Sequence, residues 1–110
     1  MKLPNADRAV IAREKLISYC LNSEHPKGKH KARVFHSVLG ITRENADDLY
    51  KLIQQAALSG EVVQQRLTSF GQEFKVDWDV SEFEGVQLRT IWIIPVGETN
   101  PQLVSAFIRT

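Results

Sequence analysis

Apolar positions recur at helical spacing through the first sixty residues and then switch to a period of two. Leu16, Tyr19 and Cys20 form an apolar stripe, and Asn5 or Asp7 can cap a helix running to about Leu21. Residues 22–28, with Ser23, Pro26 and Gly28, read as a loop. A second helix is expected over residues 29–39, stopped by Gly40, a good left-handed terminator. Thr42 can cap a third, in which Ala46, Leu49, Ile53 and Ala56 repeat until Gly60. Further on, Phe74, Val76, Trp78 and Val80 alternate with Lys75, Asp77 and Asp79, the pattern of a strand with one buried face. Residues 86–95 are apolar on both faces, which predicts a central strand, and residues 103–108 predict a last strand after the turn from Gly97 to Pro101. Residues 61–67 supply a first strand. The expected fold is α+β, with N-terminal helices packed on one face of a roughly four-stranded antiparallel meander sheet, in one domain over residues 1–110.

Composition agrees with this and narrows the setting. At 110 residues, 43% hydrophobic and 25% charged, the chain is an ordinary globular sequence of one domain, not a disordered one. No apolar run approaches the roughly 20 residues that span a bilayer, and no signal-peptide pattern opens the chain, so no membrane partner is expected. The single cysteine, Cys20, excludes an internal disulfide and a multi-cysteine zinc site. It fits a reducing compartment, and a cytoplasmic location is the expectation.

Charge changes the picture more. The net charge is +1, but residues 1–36 hold eight Lys or Arg against three Asp or Glu, and residues 37–86 hold four against nine. His25, His30 and His36 all lie in the basic segment. Such sorting points to an anionic partner on one side, or else to charges that pair off in the fold.

Polar residues in apolar places carry the candidate chemistry. On a helical wheel of roughly 100° per residue, Lys31 falls between Phe35 and Val38, whereas Lys29, Arg33 and His36 cluster on the opposite face. A lysine there snorkels, pairs with a carboxylate, or points into a pocket where an anion binds. In the central strand Arg89 shares a face with Ile91 and Ile93, and Thr90 shares the other with Leu88, Trp92 and Ile94. Such an arginine either bridges to a buried carboxylate or offers its fork to a phosphate or carboxylate ligand. A two-residue turn at Glu84-Gly85 would place Asp79 opposite Thr90 and Asp77 opposite Trp92. Ser105 is a third polar group in an apolar run. His30 and His36 are six positions apart, not the i, i+4 pair of a metal site, and no phosphate-binding glycine loop or nucleophile elbow is present, so neither metal nor cofactor is expected.

The runs KLISYCLN, HPKGKHKARVFHSVLGI, FGQEFKVDWDV, LRTIWIIP and NPQLVSAFI resemble a small bacterial domain family of unknown function over about residues 3–108. The most specific parts are Lys-Ala-x-x-Phe at Lys31, Ala32 and Phe35, and Arg-Thr-x-Trp at Arg89, Thr90 and Trp92. The family occurs as short stand-alone proteins, often encoded beside an antitoxin-like partner, and as modules of polymorphic toxins. The order of elements is also similar to the barnase, EndoU, colicin and RelE-like ribonuclease folds. What these resemblances imply is metal-independent RNA cleavage, with Lys31 and Arg89 as phosphate-binding cations and Thr90 and Ser105 as hydroxyl donors. His30, Arg33, His36 and Trp92 would contact the substrate, and no general base is assigned. The expected function is thus a toxin component acting on RNA or another phosphate-bearing substrate and neutralised by a cognate antitoxin-like protein. The alternative is a non-catalytic protein- or nucleic-acid-binding module, in which Arg89 pairs with Asp77, Asp79 or Glu82 and Lys31 merely snorkels.

Overall fold

A computed structural model of the chain describes residues 1–109. Its helices precede a four-stranded antiparallel sheet of order β1-β2-β3-β4, formed by β1 (Glu61–Thr68), β2 (Gly71–Asp79), β3 (Gln87–Pro95) and β4 (Gln102–Arg109). The α+β meander read from the periodicity is therefore present. Helix α3 (Ala46–Ser59) packs on β2 and β3, and α2 (Lys29–Val34) packs on β4. Burial in β3 alternates residue by residue, with Leu88, Thr90 and Trp92 enclosed and Arg89, Ile91 and Ile93 half-exposed. One face of the sheet is thus closed by helices and the other is open. No helix among the described residues is long and apolar enough to cross a membrane.

The helix boundaries follow local chemistry. Gly40 ends the second helical segment with φ 68°, a conformation that costs a side-chain-bearing residue more than glycine. Thr42 accepts the Glu44 N–H, and the Asn45 side chain accepts from the Thr42 N–H at 2.6 Å, which together fix the entry to α3. Both helices beside β4 loosen into π-helical turns, Leu16–Cys20 after α1 (Arg13–Lys15) and Phe35–Leu39 after α2. Such turns are rare and cluster at functional sites.

Two expectations need correction. The first helix does not start at Asn5 or Asp7. Ala6–Arg8 is a single 3-10 turn, and the chain then extends so that the Val10 N–H donates to Pro101 O at 2.8 Å and the Leu103 N–H donates to Val10 O at 3.0 Å. Those bonds cover the start of the β4 edge, and they outweigh continuation of a helix that would leave the edge unpaired. The second correction is the β2–β3 register. Residues 80–86 form a longer loop closed by Val80 N–H to Val86 O at 3.0 Å, so Asp77 lies opposite Arg89 and Thr90 opposite Val76. The shift is an odd number of positions, so it moves Asp77 from the company of Trp92 to that of Arg89.

Candidate functional site

Lys31 occupies the place the wheel assigns it, half-buried beside Phe35, which is fully enclosed. Its Nζ donates to Tyr19 OH at 3.2 Å and to Ser105 Oγ at 3.4 Å. It also lies 5.2 Å from the centre of the Tyr19 ring and 4.8 Å from that of Phe107. Aromatic faces attract a cation at such distances. Among the described residues no carboxylate pairs with it. A half-buried ammonium held only by neutral hydroxyls and rings retains its full attraction for an anion.

Ser105 reaches this cluster through a β-bulge. Ile91 pairs with Ser105 and Trp92 with Leu103, so Val104 is the extra residue. The bulge brings Ser105 opposite Ile91, and the serine is itself buried next to the core residue Ala106. A hollow of about 320 Å³ beside it is lined by Lys15, Ser18, Tyr19, Val104 and Ser105. Tyr19 is braced from behind. Its ring meets the His25 ring edge-on at 4.9 Å, and His25 Nδ1 accepts from the Lys27 and Gly28 N–H groups at 3.0 Å each. A Cβ on Gly28 would sit 2.6 Å from the Tyr19 carbonyl oxygen. Gly28→Ala is therefore expected to cost about 1–3 kcal/mol, as overpacking does, and to move Tyr19; urea unfolding and the near-UV signal check it.

Arg89 stands on the open face, opposite Phe107 in the register, and Phe107 is the ring that Lys31 also approaches. It is not free. Its Nε and Nη2 donate to the two Asp77 carboxylate oxygens at 2.7 and 2.9 Å, and Arg109 Nη1 adds a bond of 2.7 Å. The Arg89 hydrogen bond, with the charge of Arg109 behind it, holds the buried Asp77 carboxyl below the usual carboxylate range. Two guanidinium groups around one carboxylate leave a local surplus of one positive charge.

Thr90 and Trp92 do not join the site expected for them. Both are fully enclosed on the helix-covered face, and the Trp92 Nε1–H donates to Thr90 Oγ1 at 2.7 Å. Thr90→Val would strand that indole donor, and a loss of about 1–3 kcal/mol in unfolding free energy is the expected result. His30, Arg33 and His36 are exposed along α2 and its π-helical turn. Arg33 and His36 line one cleft, and His30 stands outside it. Burial pushes the Cys20 thiol up, which makes it a packing residue.

A family model described as Domain of unknown function (DUF6883) matches residues 2–110. The chain belongs to this family. No curated protein and no solved structure matches it. Within this DUF6883 domain, three contributors escape a linear reading. Tyr19 counts as one apolar position among others until its hydroxyl meets Lys31. Phe107 looks like core, and Arg109 like a solvated end. Only the strand pairing gives each of them a place.

Charge sorting also resolves. Of the eight cations in residues 1–36, Lys2 pairs with Glu61 and Arg13 with Asp47, both in the acidic middle. Among the described residues, Arg8, Lys15, Lys27, Lys29, Lys31 and Arg33 have no carboxylate partner. The basic surplus around α2 is left unneutralised.

Proposed function

We propose that this DUF6883 domain is the toxin component of a two-protein bacterial module, acts on RNA in the cytoplasm, and is silenced by direct binding of an antitoxin-like protein. The observation that carries the proposal is the Lys31 ammonium, held between Tyr19, Ser105 and Phe107 with no carboxylate partner among the described residues. A phosphodiester group is an anion that such a site attracts, and the unpaired cations along α2 extend the attraction to a strand. The reaction is a metal-independent cleavage in which the ribose 2′-hydroxyl loses its proton and attacks the adjacent phosphorus, the bond to the 5′-oxygen of the next nucleotide breaks, and that oxygen leaves as a hydroxyl, giving a 2′,3′-cyclic phosphate. Lys31 and Ser105 would hold the phosphoryl oxygens as negative charge builds on them. The Tyr19 hydroxyl, oriented by Lys31, is the group placed to exchange a proton with the attacking or leaving oxygen. Arg89 contributes field from opposite Phe107 and holds Asp77.

The Arg89–Asp77 pair favours a second reading. An arginine already bound to a carboxylate is what a non-catalytic protein- or nucleic-acid-binding module would carry. One experiment separates the two. The protein is induced in a heterologous bacterium, and growth and total RNA are followed with soluble expression confirmed. Arrested growth with degraded RNA is the expected result. Intact RNA with normal growth would overturn the cleavage reading, and RNA that is bound in a salt-dependent way but stays whole would establish the second.

A further inference from the structure

On the flank of the second helical segment away from Lys31, a cleft of about 280 Å³ opens toward the turn that enters α3. Its floor is apolar, made by the buried Leu21 and Ile41. Arg33, His36 and Arg43 all line the cleft. The Arg43 Nε–H donates to Ile17 O at 2.9 Å, which anchors the guanidinium group by one edge and leaves its terminal nitrogens available. Among the described residues neither arginine has a carboxylate partner, although Glu44 also lines the cleft. Two guanidinium forks in one cleft match the oxygens of a phosphate in a way that lysines do not. The apolar part of the lining suits the flat face of a base, and the volume falls just below the usual range of ligand pockets, so it takes one nucleotide at most.

We propose that this cleft is a second nucleotide subsite, which takes one nucleotide of a bound RNA with its base on the Leu21–Ile41 floor and its phosphate between Arg33, His36 and Arg43. The inference rests on the reading of the ligand as RNA, and it adds a specific contact on the far side of α2 from Lys31. The two contacts would make the domain bind a strand across the helix, so that a single nucleotide at Lys31 is not the whole footprint.

The test uses the full chain and a short single-stranded RNA, with affinity measured across a series of salt concentrations. Each lost phosphate contact removes about 0.7 from the slope of log K against log salt for a single strand. The double variant Arg33→Ala/Arg43→Ala is expected to bind at least tenfold more weakly, with a slope smaller by about 1.4. Arg33→Ala alone keeps the Arg43 anchor and should lose about half of that slope. Circular dichroism melting confirms that each variant is folded. Wild-type affinity and slope in the folded double variant would overturn the second subsite. If Lys31→Met then loses binding, the RNA reading survives without this cleft; if the wild type itself does not bind the RNA, the RNA reading falls and the cleft with it. Loss in the double variant alone would support the cleft and remove Lys31 from the footprint.

Discussion

Replacing Lys31 with methionine is expected to slow RNA cleavage by about 100- to 1,000-fold, the effect of losing one charge-stabilising donor at a transition state. Methionine keeps most of the aliphatic stem that packs beside Phe35, so the change isolates the ammonium. The bonds lost go to the neutral hydroxyls of Tyr19 and Ser105, at 3.2 and 3.4 Å. Bonds from a charged donor contribute about 1.5–3 kcal/mol, the low end applying at these lengths, and the melting midpoint should fall by no more than about 10 °C. The size of the rate effect follows from the absence of a carboxylate partner for Lys31 among the described residues: none of them competes with the developing charge. Single-turnover cleavage of a labelled RNA, compared with the melting curve, checks both halves. An unchanged rate would remove Lys31 from the chemistry. Lost activity accompanied by unfolding would instead make it a structural residue.

Asp77→Asn is expected to be the most damaging exposed-face substitution, destabilising the domain by about 2–3 kcal/mol. Asp77 is buried, and the variant leaves Arg89 and Arg109 without their shared counter-charge. Breaking a fully buried pair costs about 3–5 kcal/mol; the Arg109 side chain is 45% exposed, so water screens part of the loss. The melting midpoint should drop by about 10 °C. A pH series supplies the sign. The folded-state pKa of Asp77 lies below its ordinary value, so its contribution is fully present above about pH 4 and is lost as the pH falls through the folded-state value. The wild type and Asp77→Asn should therefore converge in stability on acidification. Urea midpoints that stay equally far apart from pH 7 to pH 2 would contradict this assignment. A difference below about 0.5 kcal/mol at neutral pH would show that the pair holds little, and would release Arg89 for ligand binding.

These two residues were legible to different degrees. The position of Lys31 follows from its helix, because the wheel places it among Phe35 and Val38 whatever the helix packs against. What surrounds its ammonium does not follow. Ser105 is 74 positions away, and its place depends on the bulge at Val104. Arg89 shows the reverse. Its need for a carboxylate or an anion is readable from its neighbours, and Asp77 was among the carboxylates it could reach. A register counted from a two-residue turn nevertheless pairs Asp77 with Trp92, and the loop over residues 80–86 shifts every partner.

By itself the sequence determined the elements: the change from helical to alternating period, the stops at Gly40 and Gly60, the Thr42 cap and the basic surplus of the first third. Local sterics and periodic burial act over a few residues, so they can be read along the chain. Tertiary structure alone decided which face the helices cover, and with it that Thr90 and Trp92 are core while Arg89 lies on the open side. It decided that Val10 leaves the first helix to pair with β4. It also decided that Lys31, Tyr19, Ser105 and Phe107 meet. The physical reason is the same throughout. Strand register and edge pairing depend on loop conformation, bulges and non-local hydrogen bonds, and one odd shift exchanges the two faces of a strand.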